Sequence, residues 1–135
     1  MEDQKPRDKQ EIVSDESKQQ ARFWLEYGQQ LSDSIRYTEA LSAIQRAVSL
    51  DETIVEAWYA KGTCLAMLAR YDEALETFEH TLLLDDKFVP AWDGTAWALG
   101  ILGRQEEALA AINRALELDP EYYDARKRKQ RLEKK

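Results

Sequence analysis

Tryptophans stand at positions 24, 58 and 92, two equal intervals of 34 residues (58 − 24 and 92 − 58), and their surroundings recur with them. A fixed period of this length means stacked copies of one supersecondary unit, each too thin to bury its apolar side without a neighbour. The fullest copy, residues 57–90, reads AWYAKGTCLAMLARYDEALETFEHTLLLDDKFVP. Its apolar residues recur at three- and four-residue spacing in two successive stretches, the period of helices. Four residues after each tryptophan comes a small one (Gly28, Gly62, Ala96), and seven after it a leucine (Leu31, Leu65, Leu99). The second stretch opens on Ala40, Ala74 and Ala108, followed four on by Ile44, Phe78 and Ile112, then by Ala47, Thr81 and Ala115. Small residues let paired helices approach, and the larger ones fill the space between them.

Read in order, residues 1–13 carry no hydrophobic period and are expected to be a polar leader. Ser14 suits an N-cap, with Asp15 and Glu16 placed to favour the helix dipole. Ala21, Trp24, Gly28 and Leu31 share one face of that helix. Ser32 to Arg36 is a polar break with Ser34 as the expected cap of the next helix, which runs to about Asp51. Further helices are predicted from about Glu56 to Ala69, Asp72 to Leu84, Pro90 to Gly103, and Gln105 to Asp119. The last stretch, Tyr123 to about Lys134, is basic nearly all round and is predicted to pack through Ala125 and Leu132. The expectation is therefore seven helices, antiparallel in pairs.

A 34-residue helix–turn–helix repeat in this register resembles the tetratricopeptide repeat (TPR), over residues 21–122. Departures are Lys61 and Thr95, where the family favours a large aliphatic, and Glu52 and Asp86, where it favours the proline kept at Pro120. The resemblance implies an all-α superhelical solenoid of three repeats (about 21–54, 55–88 and 89–122) within a domain spanning 14–135, closed by a polar capping helix at 123–135. It also implies binding of peptides or partner helices on a concave surface lined by the first helix of each repeat, with no catalysis and no cofactor.

Composition narrows the alternatives. The net charge of −7 divides unevenly: residues 123–135 carry seven basic and two acidic side chains, so the rest of the chain is more acidic still. An acidic body repels nucleic acid and anionic lipid, so neither is an expected partner. No secretory signal opens the chain and no apolar run reaches membrane-spanning length, which makes the cytoplasm the expected location. Cys64 and His80 are the only residues of their types. One cysteine forms no internal disulfide, and the register puts His80 on the outer face away from Cys64, so neither a catalytic pair nor a metal site is expected.

In the register that the resemblance implies, the concave face receives Leu25, Glu26 and Gln29 from the first copy, Glu56, Tyr59, Thr63 and Met67 from the second, and Asp93, Trp97 and Ile101 from the third. Leu25, Tyr59, Met67, Trp97 and Ile101 read as an apolar floor, with Glu26, Glu56 and Asp93 as acidic margins. Gly94 and Gly100 would leave room beside Trp97, which either anchors a ligand side chain or packs against the end helix. Some TPR domains clamp the acidic tails of heat-shock chaperones with Lys and Asn. Leu25, Gln29, Ala60, Asp93 and Trp97 occupy those places here, so such tails are not expected partners. The expected function is an interaction scaffold for an apolar or amphipathic segment with basic residues nearby. The alternative is self-assembly, end to end or through the basic tail.

Overall fold

A computed structural model describes residues 13–134; the expected leader therefore lies, but for Val13, outside the described residues. Seven helices follow one another: α1 (Asp15–Asp33), α2 (Tyr37–Leu50), α3 (Val55–Met67), α4 (Tyr71–Leu84), α5 (Val89–Ile101), α6 (Gln105–Leu118) and α7 (Tyr123–Glu133). The described residues contain no strand. Ser14 caps α1 as expected, its hydroxyl oxygen accepting from the Ser17 amide at 3.0 Å. Ser34 does not cap α2. It ends α1, and Arg36 begins α2 without a side-chain cap.

The turn inside each repeat is the same object three times. Ile35, Ala69 and Gly103 take φ of 63°, 62° and 83°. The amides of Arg36, Arg70 and Arg104 donate back to the carbonyls of Leu31, Leu65 and Leu99 at 2.8–2.9 Å. That six-to-one bond closing around a left-handed residue is a Schellman stop, which satisfies the last carbonyls of the first helix. Each arginine then forks onto the glutamate three residues on: Arg36 on Glu39, Arg70 on Glu73, and Arg104 on Glu107. Exposed i,i+3 pairs of this kind add little energy, but they sit where the second helix must start.

Between repeats the chain turns on Asp51, Asp85 and Asp119, whose carboxylates accept the amide two residues on at 3.0–3.1 Å. These are Asx turns. The repeat tryptophans fasten them: the indole N–H of Trp58 donates to the Glu52 carbonyl at 2.9 Å, and that of Trp92 to the Asp86 carbonyl at 2.7 Å. Consequently these tryptophans are only half-buried, not fully enclosed core residues. Their outer faces carry Arg46, His80 and Arg114 respectively, one per copy at the same register. His80 thus packs on Trp58, with ring centres 4.0 Å apart and ring planes tilted by 46°.

Close approach is set by glycine. A Cβ on Gly28 would lie 2.5 Å from Ile44, and one on Gly62 would lie 2.6 Å from Phe78. Gly94 meets the same Phe78 ring, where an added Cβ would come within 2.8 Å. Two glycines from consecutive repeats therefore make room for one phenylalanine, which is why the second copy carries Phe where the others carry Ile. Gly94 serves this packing, so the space that its missing side chain leaves is taken by Phe78 and not left open beside Trp97.

Candidate functional site

Which surface is concave follows from the packing. α1 touches α3, α3 touches α5, and α5 touches α7, whereas no two of α2, α4 and α6 touch. The odd helices therefore line the inside of the curve. Among the described residues, two clefts on that side bear on function.

The first lies between α1 and α3. It is a cleft of about 250 Å³ lined by Gln29 and Asp33 of α1 and by Glu56, Tyr59, Ala60 and Thr63 of α3, with Ile44 and Cys64 at its base. Tyr59 leans on Phe78 and Phe88, at 5.8 and 5.5 Å between ring centres, and burial raises its phenol pKa. Cys64 is buried, and burial raises the pKa of its thiol while the nearby Ser32 hydroxyl opposes the rise. A thiol held protonated is an apolar wall, not a nucleophile. Asp33 and Glu56 enter no ion pair among the described residues, so this cleft is acidic.

The second lies between α5 and α7 and measures about 230 Å³. Trp97, Gly100 and Ile101 form one wall, with Arg128, Arg131 and Leu132 of α7 opposite. An added Cβ at Gly100 would meet nothing within 4 Å, so this glycine does leave open space beside the indole. Trp97 is half-buried, and the Arg128 guanidinium lies 5.9 Å from its ring centre. It therefore packs against the end helix and also faces the cleft.

Between the clefts stands an ion pair that spans 35 residues of sequence. The Arg128 Nε and one terminal nitrogen donate to the two Asp93 carboxylate oxygens at 2.8 and 3.1 Å. Asp93 is 7% exposed, so it is no acidic margin of an open groove. Leu25, at 3%, belongs to the core and not to the groove floor. Both stand one residue after their tryptophan, a position that turns toward the neighbouring odd helix. Glu26, Met67 and Ile101 are exposed, but of the three only Ile101 lines a cleft. Sequence reasoning placed Gln29, Glu56, Tyr59 and Thr63 together, and they do line one cleft. It missed the arginines of α7, because a basic end helix reads as solvated surface until its inner side is known.

Among the described residues there is no group of His, Cys, Asp and Glu able to hold a metal, and no helix long and apolar enough to cross a membrane.

Comparison with known proteins gives a consistent picture. The family model described as "Anaphase-promoting complex, cyclosome, subunit 3" matches residues 10–81, and the model described as "Tetratricopeptide repeat" matches residues 89–122. No curated protein sequence matches the chain. Among solved structures, the Arabidopsis OM64 TPR domain is similar with a TM-score of 0.85 at 22% identity, covering 87% of this chain and 98% of that one. The first TPR of Spaghetti (RPAP3), bound to the HSP90 peptide SRMEEVD, also gives 0.85, at 20% identity, covering 91% of this chain and 96% of that one. YrrB, a TPR protein with an unusual peptide-binding site, gives 0.78 at 27% identity, covering 82% of this chain and 57% of that one.

Proposed function

The chain belongs to the tetratricopeptide-repeat family, and from that premise we propose that it is a protein-interaction scaffold holding an apolar or amphipathic peptide segment, with basic residues beside it, in the cleft between α1 and α3. The observation that carries this is the cleft's combination of an aromatic wall at Tyr59 with the carboxylates of Asp33 and Glu56, which form no ion pair among the described residues. Its volume is below the roughly 300–1,000 Å³ of small-molecule sites, which suits one or two side chains. Binding, not catalysis, is the chemistry such a cleft offers. Two structural relatives are complexes with acidic chaperone peptides. We place this chain's partner in a different class, since Leu25, Gln29, Ala60, Asp93 and Trp97 stand where the chaperone-tail clamp has its Lys and Asn. The test is titration of a capped, lysine-containing amphipathic peptide followed by the backbone amide of Thr63. Ala60→Leu should fill the cleft and stop binding, and Glu56→Lys should weaken it mostly at low salt. Binding that survives both variants would refute the proposal.

Self-association is the second reading, and one observation favours it. Phe23 is 60% and Tyr27 44% exposed on α1, where they stack on one another. The equivalents of Phe23 in the later copies, Ala57 and Ala91, are fully buried, and those of Tyr27 are Lys61, half-buried, and Thr95, buried. The aromatic pair therefore stands exposed at the α1 end of the described residues, while α7 packs at the other. Sedimentation of wild type against Phe23→Lys/Tyr27→Lys decides it: a monomer in both sinks self-association.

A further inference from the structure

We propose that the cleft between α5 and α7 is a second subsite of the same groove, taking an aliphatic side chain together with the carboxylate of an adjacent internal Asp or Glu of the bound segment. This rests on the groove function proposed above and adds to it the chemistry of the segment's other end.

Three observations converge. Trp97, Ile101 and Leu132 present apolar surface to a space of about 230 Å³, and Gly100 keeps that space open without any packing reason to be glycine. The cleft's charge is opposite to that of the first. Arg128 commits its fork to Asp93, which leaves Arg131 lining the cleft with no carboxylate partner among the described residues. The Asp93–Arg128 pair stands on the divide, neutralising itself, so the groove is acidic at its α1 end and basic at its α7 end. A guanidinium beside an apolar wall fits a carboxylate that follows an aliphatic side chain. The cation is a side chain on the rim. Capture of a chain terminus takes a nest of backbone amides or a clamp of Lys and Asn side chains; α7 offers its flank and neither Lys nor Asn lines this cleft, so the carboxylate sought is internal.

The experiment uses the ¹⁵N-labelled full chain and two hexapeptides, acetylated and amidated, with one Leu-Glu or one Leu-Gln in a Gly/Ser background. The chain has four tryptophans, and Trp97→Phe identifies the Trp97 indole resonance. The Leu-Glu peptide should shift that resonance saturably. The Leu-Gln peptide should bind about fivefold more weakly, the upper range for one exposed ion pair, and Arg131→Glu should cost about tenfold. Gly100→Leu should abolish the shift with an unchanged or higher melting temperature, which separates a filled cleft from a damaged fold. A Trp97 resonance that does not move, or that moves equally with Leu-Gln or in Arg131→Glu, overturns the proposal. The lysine peptide, read at Thr63, is run alongside. If it binds and the Leu-Glu peptide does not, the second subsite fails alone. If neither binds, the groove itself fails.

Discussion

Arg128→Ala should destabilise this protein more than any exposed ion pair in it can. The other five pairs leave 40–85% of their side-chain surface in water. Arg128 and Asp93 leave 21% and 9%. Breaking a fully buried pair from one side costs about 3–5 kcal/mol, because the remaining charge stays desolvated and alone. With the residual exposure here, about 2–3 kcal/mol is expected, which includes the cation–π contact to Trp97. At roughly 3–5 °C per kcal/mol for a chain of this size, the melting temperature should fall by roughly 6–15 °C. Asp93→Ala should cost less, since the orphaned Arg128 can swing its head to water while the orphaned Asp93 cannot. The double variant should therefore resemble Asp93→Ala, giving a coupling energy of about 1.5 kcal/mol or more in the cycle. Circular dichroism melts supply the energies. Hydrogen exchange shows whether α7 detaches first, as its poor apolar anchorage (Ala125 fully buried, Leu132 half-buried) suggests. Molar salt should change little, because screening acts mainly on exposed pairs. Single variants whose costs simply add, within about 0.5 kcal/mol, would refute the idea that this pair docks the cap.

Ile35→Gly should raise the melting temperature by a few degrees: a left-handed conformation costs a non-glycine residue about 1–2 kcal/mol, the entropy of glycine returns about 0.5–1 of that, and Ile35 is 73% exposed, so little burial is lost. Gly62→Ala should lower stability by about 1–3 kcal/mol in a denaturant melt, because Phe78 is held by Gly94 on its other side and has nowhere to move. Gly100→Ala, with nothing to meet, should instead raise stability by about 0.5–1 kcal/mol. Burial lifts the Tyr122 phenol to about 12 in the folded chain, above the ordinary value near 10. Between those values the folded state holds a proton that the unfolded state has lost, so stability present below pH 10 should fall as pH rises toward 12, and Tyr122→Phe should flatten that slope.

The six paired helices were legible because each depends on contacts that the repeat states three times over. Gly28 with Ile44 and Gly62 with Phe78 are pairs whose sizes can be matched from sequence alone. The turns were less so. Gly103 announces a left-handed residue, but Ile35 and Ala69 occupy the same conformation and announce nothing, since the Schellman bonds around them hold it by geometry. The candidate groove was half legible for a related reason. Gln29, Glu56, Tyr59 and Thr63 reach the α1–α3 cleft from positions that periodicity assigns. Asp93 looked like a free carboxylate because its partner lies 35 residues on, and no local pattern links a buried aspartate to one arginine among seven cations.

If the α5–α7 cleft binds as proposed, the position of α7 ties capping to binding. A capping helix in a solenoid needs only to cover the last pair, and an inert polar helix would do so. Here α7 also forms one wall of a cleft whose other wall is Trp97, Gly100 and Ile101. A segment seated in that cleft touches α7 only while α7 is docked, so its binding energy adds to the stability of docking by mass action. The coupling is reciprocal: a weakened Asp93–Arg128 pair reduces the docked population and with it the affinity at this end of the groove. The α1–α3 cleft is lined by no residue of α7, and α7 reaches its Tyr59 wall only through the charges of Asp124 and Arg128, so it should feel the loss less. Affinity at the two clefts should therefore separate in Arg128→Ala, the α5–α7 cleft falling with α7 protection and the α1–α3 cleft changing far less.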